Sequence, residues 1–341
     1  MMNAMDTKRL TTDDAARGAA IIASGGLLGI PTETVYGLGA NGLDSAAVAA
    51  IFAAKGRPQD NPLILHIPSA DWLERYCQDI SPAAYDLARR FWPGPLTIIL
   101  KRKPIVPNTV TAGLDTVGMR CPDCAVTRAI IAAANVPVAA PSGNTSGRPS
   151  PTTAEAMLED MDGKIDAIVD AGPCTVGVES TIVDLTTTPP RLLRPGGVTL
   201  EELRNVLGEV AVDEAVLRLM STNEHPRAPG MKYRHYAPKA PVAVVSGDAQ
   251  GTARYISAHL QPGDGVICFS DYVNFFSGFS TQAIGPADDP QEHARHIFEA
   301  LRAFDHEDVK RIWAQSPDAT GLGLAVTNRL NKAAGFHIIS L

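Results

Sequence analysis

The chain has 341 residues, of which 45% are hydrophobic and 20% charged, and it carries a formal net charge of −7. That length is comfortable for two domains, and the balance is that of a globular protein rather than a disordered one. The negative sum argues against a general nucleic-acid coat, since gripping a phosphate backbone needs a broad cationic surface, but it leaves room for a local cationic pocket.

Residues 11–24 are predicted helical: a Thr and Asp pair opens them, an Ala/Ile stripe fills them, and Gly25-Gly26 stops them. A short apolar strand over 27–30 then delivers Pro31-Thr32-Glu33-Thr34-Val35-Tyr36-Gly37-Leu38-Gly39 at its end. An alanine-rich helix over 45–54 follows Asp44 and runs into Lys55-Gly56-Arg57-Pro58. After Asn61-Pro62-Leu63, the strand 63–67 carries His66. Ser81-Pro82 makes an N-cap and first-turn pair for a helix reaching residue 91. Residues 96–100 read as a strand, and Arg120 ends a Val-Gly-Met strand. The strand 136–140 leads into Pro141-Ser142-Gly143-Asn144-Thr145-Ser146-Gly147, with Thr152 or Thr153 placed to cap the next helix. Strands at 167–169, 181–185 and 191–193 and a helix at 200–207 complete the first unit. Alternating helices and strands, with some strands adjacent, predict a mixed α/β sheet whose functional loops hang from strand ends.

The texture changes after about residue 210. Residues 225–241 are rich in Pro, Gly and cations, and a flexible tether is one reading of them. Gly230-Met231-Lys232-Tyr233-Arg234-His235-Tyr236 is dense in phosphate-binding and stacking groups, which a passive spacer does not need, and favours a cover over a ligand. The domain boundaries so predicted are 1–210, a linker or lid over 211–240, and 241–341. In the last segment, strands at 242–245, 265–269 and 309–313 alternate with helices at 249–260, 289–304 and 323–334, the pattern of a smaller, parallel-sheet, Rossmann-like α/β domain. It lacks the GxGxxG fingerprint, and Gly321-Leu322-Gly323 alone does not assign a dinucleotide. His293 and His296, three apart with no third ligand in view, read as solvent-facing.

Five cysteines, an odd number scattered along the chain, give no disulfide framework and fit a reducing cytosol. Cys121-Pro-Asp-Cys124 has no second pair and reads as an ordinary loop rather than a zinc site. No apolar run is long enough to span a membrane and residues 1–10 have no leader-like apolar core, so a cytoplasmic protein is expected.

Three loops carry the richest chemistry. A polyphosphate must have its charge neutralised without blocking attack, and arginine does this with a planar fork of donors, lysine with a mobile point charge. Lys55 and Arg57 sit between Gly56 and Pro58 at a helix end, and Arg194 precedes Pro195-Gly196-Gly197. Residues 142–147 offer hydroxyls, the Asn144 amide and glycine-freed N–H groups, a composition suited to an anion-binding nest. The spacing is neither that of a Walker loop nor that of a nucleophile elbow. Ser180-Thr181, beside Glu179, adds a hydroxyl pair at a strand start. Together these predict a nucleotide-using enzyme.

Six motifs in this order, Pro-Thr-Glu-Thr-Val-Tyr-Gly-Leu-Gly, Lys-Gly-Arg-Pro, Asn-Pro-Leu, the Ser142 loop, Glu-Ser-Thr-Ile-Val-Asp and Leu-Arg-Pro-Gly, resemble the YrdC-type domain of the threonylcarbamoyl-AMP synthases. The linker string ending Tyr-Ala-Pro, with an α/β unit after it, is similar to the long, two-domain form of that family. One departure is Ser142-Gly143-Asn144, where the family usually has Ser-Ala-Asn; the smaller residue keeps the loop's reach. The resemblance implies a YrdC-like twisted mixed sheet and a nucleotidyltransferase that joins L-threonine, bicarbonate and ATP, with Mg2+ accompanying ATP and no structural metal. It further implies that the product passes to a separate complex modifying an adenosine beside the anticodon of certain tRNAs, so the chain itself need not grip nucleic acid. By motif matching, Thr34, His66, Arg120 and Ser180 are expected to hold threonine. Lys55, Arg57, Asn61, Thr116, Ser142, Asn144, Ser150, Arg194, Lys232 and Tyr233 are expected to hold ATP, with Lys55 and Arg57 serving catalysis. Two other readings are an RNA-binding or ribosome-assembly module and a carbamoyl-phosphate-dependent transferase. The transferase reading predicts zinc-finger-like and acylphosphatase-like segments, and no such Cys-rich region is present.

Overall fold

The computed structural model describes residues 6–218, 226–229 and 235–341. Among these, a 12-stranded sheet forms the first unit. It runs from the edge strand Lys8–Leu10 through Ala167–Val169, Leu28–Ile30, Gly37–Asn41 and Val138–Ala139 to a central parallel pair, Ile64–His66 and Thr116–Arg120. Beyond lie Leu96–Arg102, Thr181–Asp184, Arg191–Arg194 and Ala211–Val212, and the short strand Cys77–Gln78 joins Leu96–Arg102 from the side. Parallel and antiparallel pairings mix, as expected from the interleaved elements.

Local chemistry accounts for the helices that aim at the cleft. Asp44 caps Ser45–Lys55 by accepting from the Ala46 and Ala47 N–H groups, and Gly56 ends it in the left-handed region at φ 60°. That stop places Lys55 in the last turn, facing inward. Of the two candidate caps before Ala154–Met161, Thr153 is the one used, accepting from Ala156 N. Thr199 and Glu202 form a reciprocal capping box on Leu200–Leu207.

The first helix is shorter than predicted, Ala15–Ala23, because Asp14 accepts instead from the Thr11 N–H and hydroxyl. Such a local turn competes with helix initiation. Gly37-Leu38-Gly39, taken from sequence for loop, belongs to a strand. A Cβ at Gly39 would stand 2.9 Å from Val138 Cγ1, so glycine lets this strand lie close to its neighbour. The helix Ala125–Ala134 and the edge strands Lys8–Leu10 and Ile338–Ser340 were not anticipated.

The second unit is a 5-stranded parallel sheet in the order Ser280–Ala283, Asp264–Cys268, Arg311–Gln315, Val242–Ser246, Ile338–Ser340, as the Rossmann-like reading expected. His293 is not solvent-facing. It is fully buried on the inner face of Pro290–Ala303, one turn before Ile297, with Nε2 against the Pro286 carbonyl at 2.6 Å and its ring beside Phe269. Of the two only His296, a little further round the helix, meets solvent, between Glu292 and Glu299. No helix among the described residues is long and apolar enough to cross a membrane.

The two units meet over charge and close backbone contact. Arg302 of the second unit pairs with Asp160 and Glu159 of the first, and Arg148 bridges Asp160 to Asp305. Asp305 also accepts from the Lys239 N–H at 2.8 Å, tying down the end of the linker. At Gly177 (φ 83°) an added Cβ would lie 2.3 Å from the Ala294 carbonyl oxygen across the interface. Gly177→Ala is therefore expected to destabilise the chain by about 1–3 kcal/mol, read as a fall in Tm; an unchanged Tm would show that the contact yields.

Candidate active site

Strand register assembles the site. Residues His66 and Arg120 are partners on adjacent parallel strands, so both side chains arrive at the same sheet end. Two strands further on, Ser180 immediately precedes Thr181–Asp184, and the antiparallel strand Arg191–Arg194 returns to the same end. Thr97 links the pairs, its hydroxyl 2.8 Å from the Ser180 hydroxyl. A cleft opens there, and Lys55, Arg57, His66, Arg120, Ser142, Asn144, Ser180 and Arg194 all line it. Distant glycine-flanked cations and alcohols do converge.

At one end, the Thr34 hydroxyl lies just beneath the lining and accepts from Arg120 Nη2 at 2.8 Å. Arg120 is also paired with buried Glu33 at 2.8 Å, and Glu33 accepts from the Asp123 N–H. His66 is 3% exposed, and burial, then the neighbouring Arg120 charge, lowers its pKa to about 3. Its imidazole is therefore neutral at physiological pH, with Nδ1 unpartnered within the protein.

At the other end, the Ser142 loop is moored on three sides. Gly143 N donates to the Tyr36 carbonyl at 2.7 Å, Ser146 N donates to the Lys55 carbonyl at 2.9 Å, and Lys55 Nζ reaches back to the carbonyls of Ser142 and Asn144. Burial, then the Arg57 charge, pushes the Lys55 pKa well below its usual range. Lys55 holds the loop through the N–H donors of its Nζ. An alanine at 143 would put its Cβ 2.5 Å from Met157 Sδ, which accounts for the glycine beside this methionine. Arg57 donates to the Pro62 carbonyl at 3.3 Å, and Asn61 behind it is buried with Oδ1 unpartnered. Arg194 is nearly buried, its guanidinium bonded to the Ser180 carbonyl at 3.0 Å and hydroxyl at 3.1 Å.

Two expected residues stand differently. Ser150 is fully buried behind the wall and gives its hydroxyl to Glu179, so it reaches the cleft through that carboxylate. Thr116 is not brought in: it pairs with Lys101 at the far end of its strand, four residues and about 13 Å of rise from Arg120. Lys232 and Tyr233 lie outside the described residues.

Sequence reading missed Glu179, His235 and Tyr236, all of which line the cleft. Glu179 had a signal, a lone carboxylate entering an apolar strand. Burial raises its pKa, but Arg329, Arg194 and the Ser150 hydroxyl outweigh that and hold it at about 2. The linker string had been noted as a whole, and its last two residues are the ones seen at the wall. Arg329, in the second unit, carried no local signal at all.

The buried neutral imidazole of His66 makes folding pH-dependent. The unfolded chain takes up this proton near pH 6.5 and the folded one only near 3. Between those values the unfolded state binds more protons, so stability falls as pH is lowered from about 6.5 towards 3. His66→Gln is expected to remove roughly 1.4 kcal/mol per pH unit of that slope, measured by denaturant unfolding at several pH values; an unaltered slope would contradict the buried neutral state.

Comparison with known proteins agrees in both units. Residues 20–196 match a family model described as Telomere recombination, and residues 198–335 match one described as Threonylcarbamoyl-AMP synthase, C-terminal domain. A threonylcarbamoyl-AMP synthase from Pyrococcus abyssi is 47% identical over 95% of this chain and 94% of its own length. One from Bacillus subtilis is 44% identical over 98% of this chain and 97% of its own. The solved structure of P. abyssi Sua5 complexed with L-threonine superposes with a TM-score of 0.89 at 43% identity, covering 98% of this chain and 99% of that one. With both units matched in order along nearly the whole chain, the protein belongs to the threonylcarbamoyl-AMP synthase family, nucleotidyl-transferring enzymes, in its two-domain form.

Proposed function

We propose that the cleft condenses L-threonine, bicarbonate and ATP into L-threonylcarbamoyladenylate with release of pyrophosphate. The observation that carries this reading is the single cleft itself, with a neutral imidazole and Arg120 at one end and Arg57, the Ser142 loop and Arg194 at the other. In the first step the threonine amine adds to the carbon of carbon dioxide with loss of a proton, or to that of bicarbonate with loss of water, to give a carbamate. A carbamate oxygen then attacks the α-phosphorus as the bond to pyrophosphate breaks. The carbamate is short-lived in water, so the protein's chief service is to position the reactants and exclude solvent.

Arg120, with Thr34 and Ser180, receives the threonine carboxylate and hydroxyl. His66 is too weakly basic at a pKa of about 3 to draw a proton from an ammonium, and serves as a neutral hydrogen-bonding partner. Arg57, Asn61, Ser142, Asn144 and Arg194 face the nucleotide, Ser150 supports them through Glu179, and Lys55 keeps the Ser142 loop in its shape. Lys232 and Tyr233 are assigned to ATP by the family motif they share. Mg2+ enters with ATP: Glu179 is the one acidic side chain among the described lining residues, and its oxygens are taken by Arg329 and Ser150. The ion would thus be held by the phosphates, easing charge on the leaving pyrophosphate together with Arg57. The product goes to a separate transferase acting on tRNA, and the reaction takes place in the cytoplasm.

Pyrophosphate release from ATP tests this reading. It is expected to require both L-threonine and bicarbonate, and to fall by roughly a hundredfold or more in a folded Arg57→Ala variant. Release independent of threonine, or wild-type release from Arg57→Ala, would defeat the assignment. Removing residues 225–341 is expected to cripple turnover although most ligand-facing residues remain; full activity would reduce the linker to a tether.

A further inference from the structure

The helix Gly323–Ala333 of the second unit turns one face towards the catalytic cleft. Its Asn328 donates to the Val216 carbonyl at 2.9 Å, where the linker departs. Its Arg329 is fully buried, an unusual place for a guanidinium, and apart from a bond to neighbouring Asn328 its hydrogen bonds lead to the cleft wall. Nε pairs with Glu179 at 2.7 Å, and Nη1 donates to the carbonyl of Pro195, next to Arg194, at 2.9 Å. The guanidinium also lies 5.5 Å from the ring centre of Tyr236, at the linker's other end.

Glu179 is where these strands of evidence meet. Its carboxylate accepts from Ser150 of the first unit and pairs with Arg329 of the second unit, whose guanidinium lies against the Tyr236 ring of the linker. Gly196 lets the turn after Arg194 pack onto this strand, since a Cβ there would sit 2.3 Å from the Glu179 carbonyl. Without Arg329, a buried carboxylate beside Arg194 would draw that guanidinium off Ser180 or take up a proton and release Ser150. With it, Glu179 is neutralised from behind and the Arg194 charge stays directed into the cleft.

We propose that Arg329 is a positioning residue for the nucleotide end of the site, contributed by the C-terminal domain, acting through Glu179 to set Arg194 and Ser150. The proposal rests on the assignment of Arg194 to ATP. The C-terminal domain is then part of the active site's charge balance rather than a brace alone.

Binding of a non-hydrolysable ATP analogue, measured by calorimetry on the full chain, tests this separately from turnover. Arg329→Gln is expected to weaken that binding roughly tenfold or more and to raise the KM for ATP in proportion. Arg329→Lys, which keeps the charge but not the fork, is expected to lose less and serves where the glutamine variant fails to fold. Glu179→Gln and the Glu179→Gln/Arg329→Gln pair are expected to bind alike, since Arg329 works through Glu179. Arg295→Gln, which breaks a contact between the units at the exposed Thr175 carbonyl, is the control and should bind as wild type. Wild-type binding by Arg329→Gln, additive losses in the double variant, or an equal loss in Arg295→Gln would overturn the proposal. A wild-type protein that binds the analogue yet releases no pyrophosphate would instead contradict the proposed reaction.

Discussion

Buried charge is the constraint on which this cleft depends. Taking an ion out of water costs several kcal/mol even after relaxation, and a buried ion survives only with partners of good geometry. Here Arg120, Arg194, Arg329, Glu33 and Glu179 are all nearly or fully buried around one cavity. Each has its partner: Arg120 with Glu33, Arg329 with Glu179, Arg194 with Ser180. The arrangement leaves more cation than anion at the wall, which is what a triphosphate and a carboxylate require of it.

That charge network also explains why three remote parts of the chain must close together. Glu179 is bonded to the first unit and to the second, and the Arg329 that pairs with it lies against the linker's Tyr236 ring, so no part alone completes this wall. The interface beyond it is equally committed, with Arg302 and Arg148 crossing between units and Gly177 admitting the Ala294 carbonyl. The described ends of the linker are both held by the second unit, Val216 by Asn328 and Lys239 by Asp305.

Much of this was legible in the sequence. Motifs that end a strand or a helix, such as those at Thr34, Lys55, Arg120 and Ser142, announce themselves because glycine, proline and polar groups interrupt an apolar rhythm, and they do meet in one place. The Rossmann-like second unit followed from the alternation of strands and helices. What failed to show has physical reasons. Gly37-Leu38-Gly39 looked like loop because close strand packing, not strand propensity, asks for those glycines. His293 looked exposed because only the tertiary fold sets which helix face lies inward. Thr116 matched a motif but sits at the wrong end of its strand to line the cleft. Arg329 lies on a helix with no motif, and its importance comes from a partner 150 residues away.

The central claim is that carbon from bicarbonate ends up bonded to both the threonine nitrogen and an α-phosphate oxygen. The most direct measurement supplies 13C-bicarbonate with L-threonine and ATP and follows the label by 13C and 31P NMR. A labelled carbonyl coupled to phosphorus, with pyrophosphate formed alongside, is the predicted result. Formation of ADP and phosphate, or of AMP with the label remaining in bicarbonate, would contradict the account.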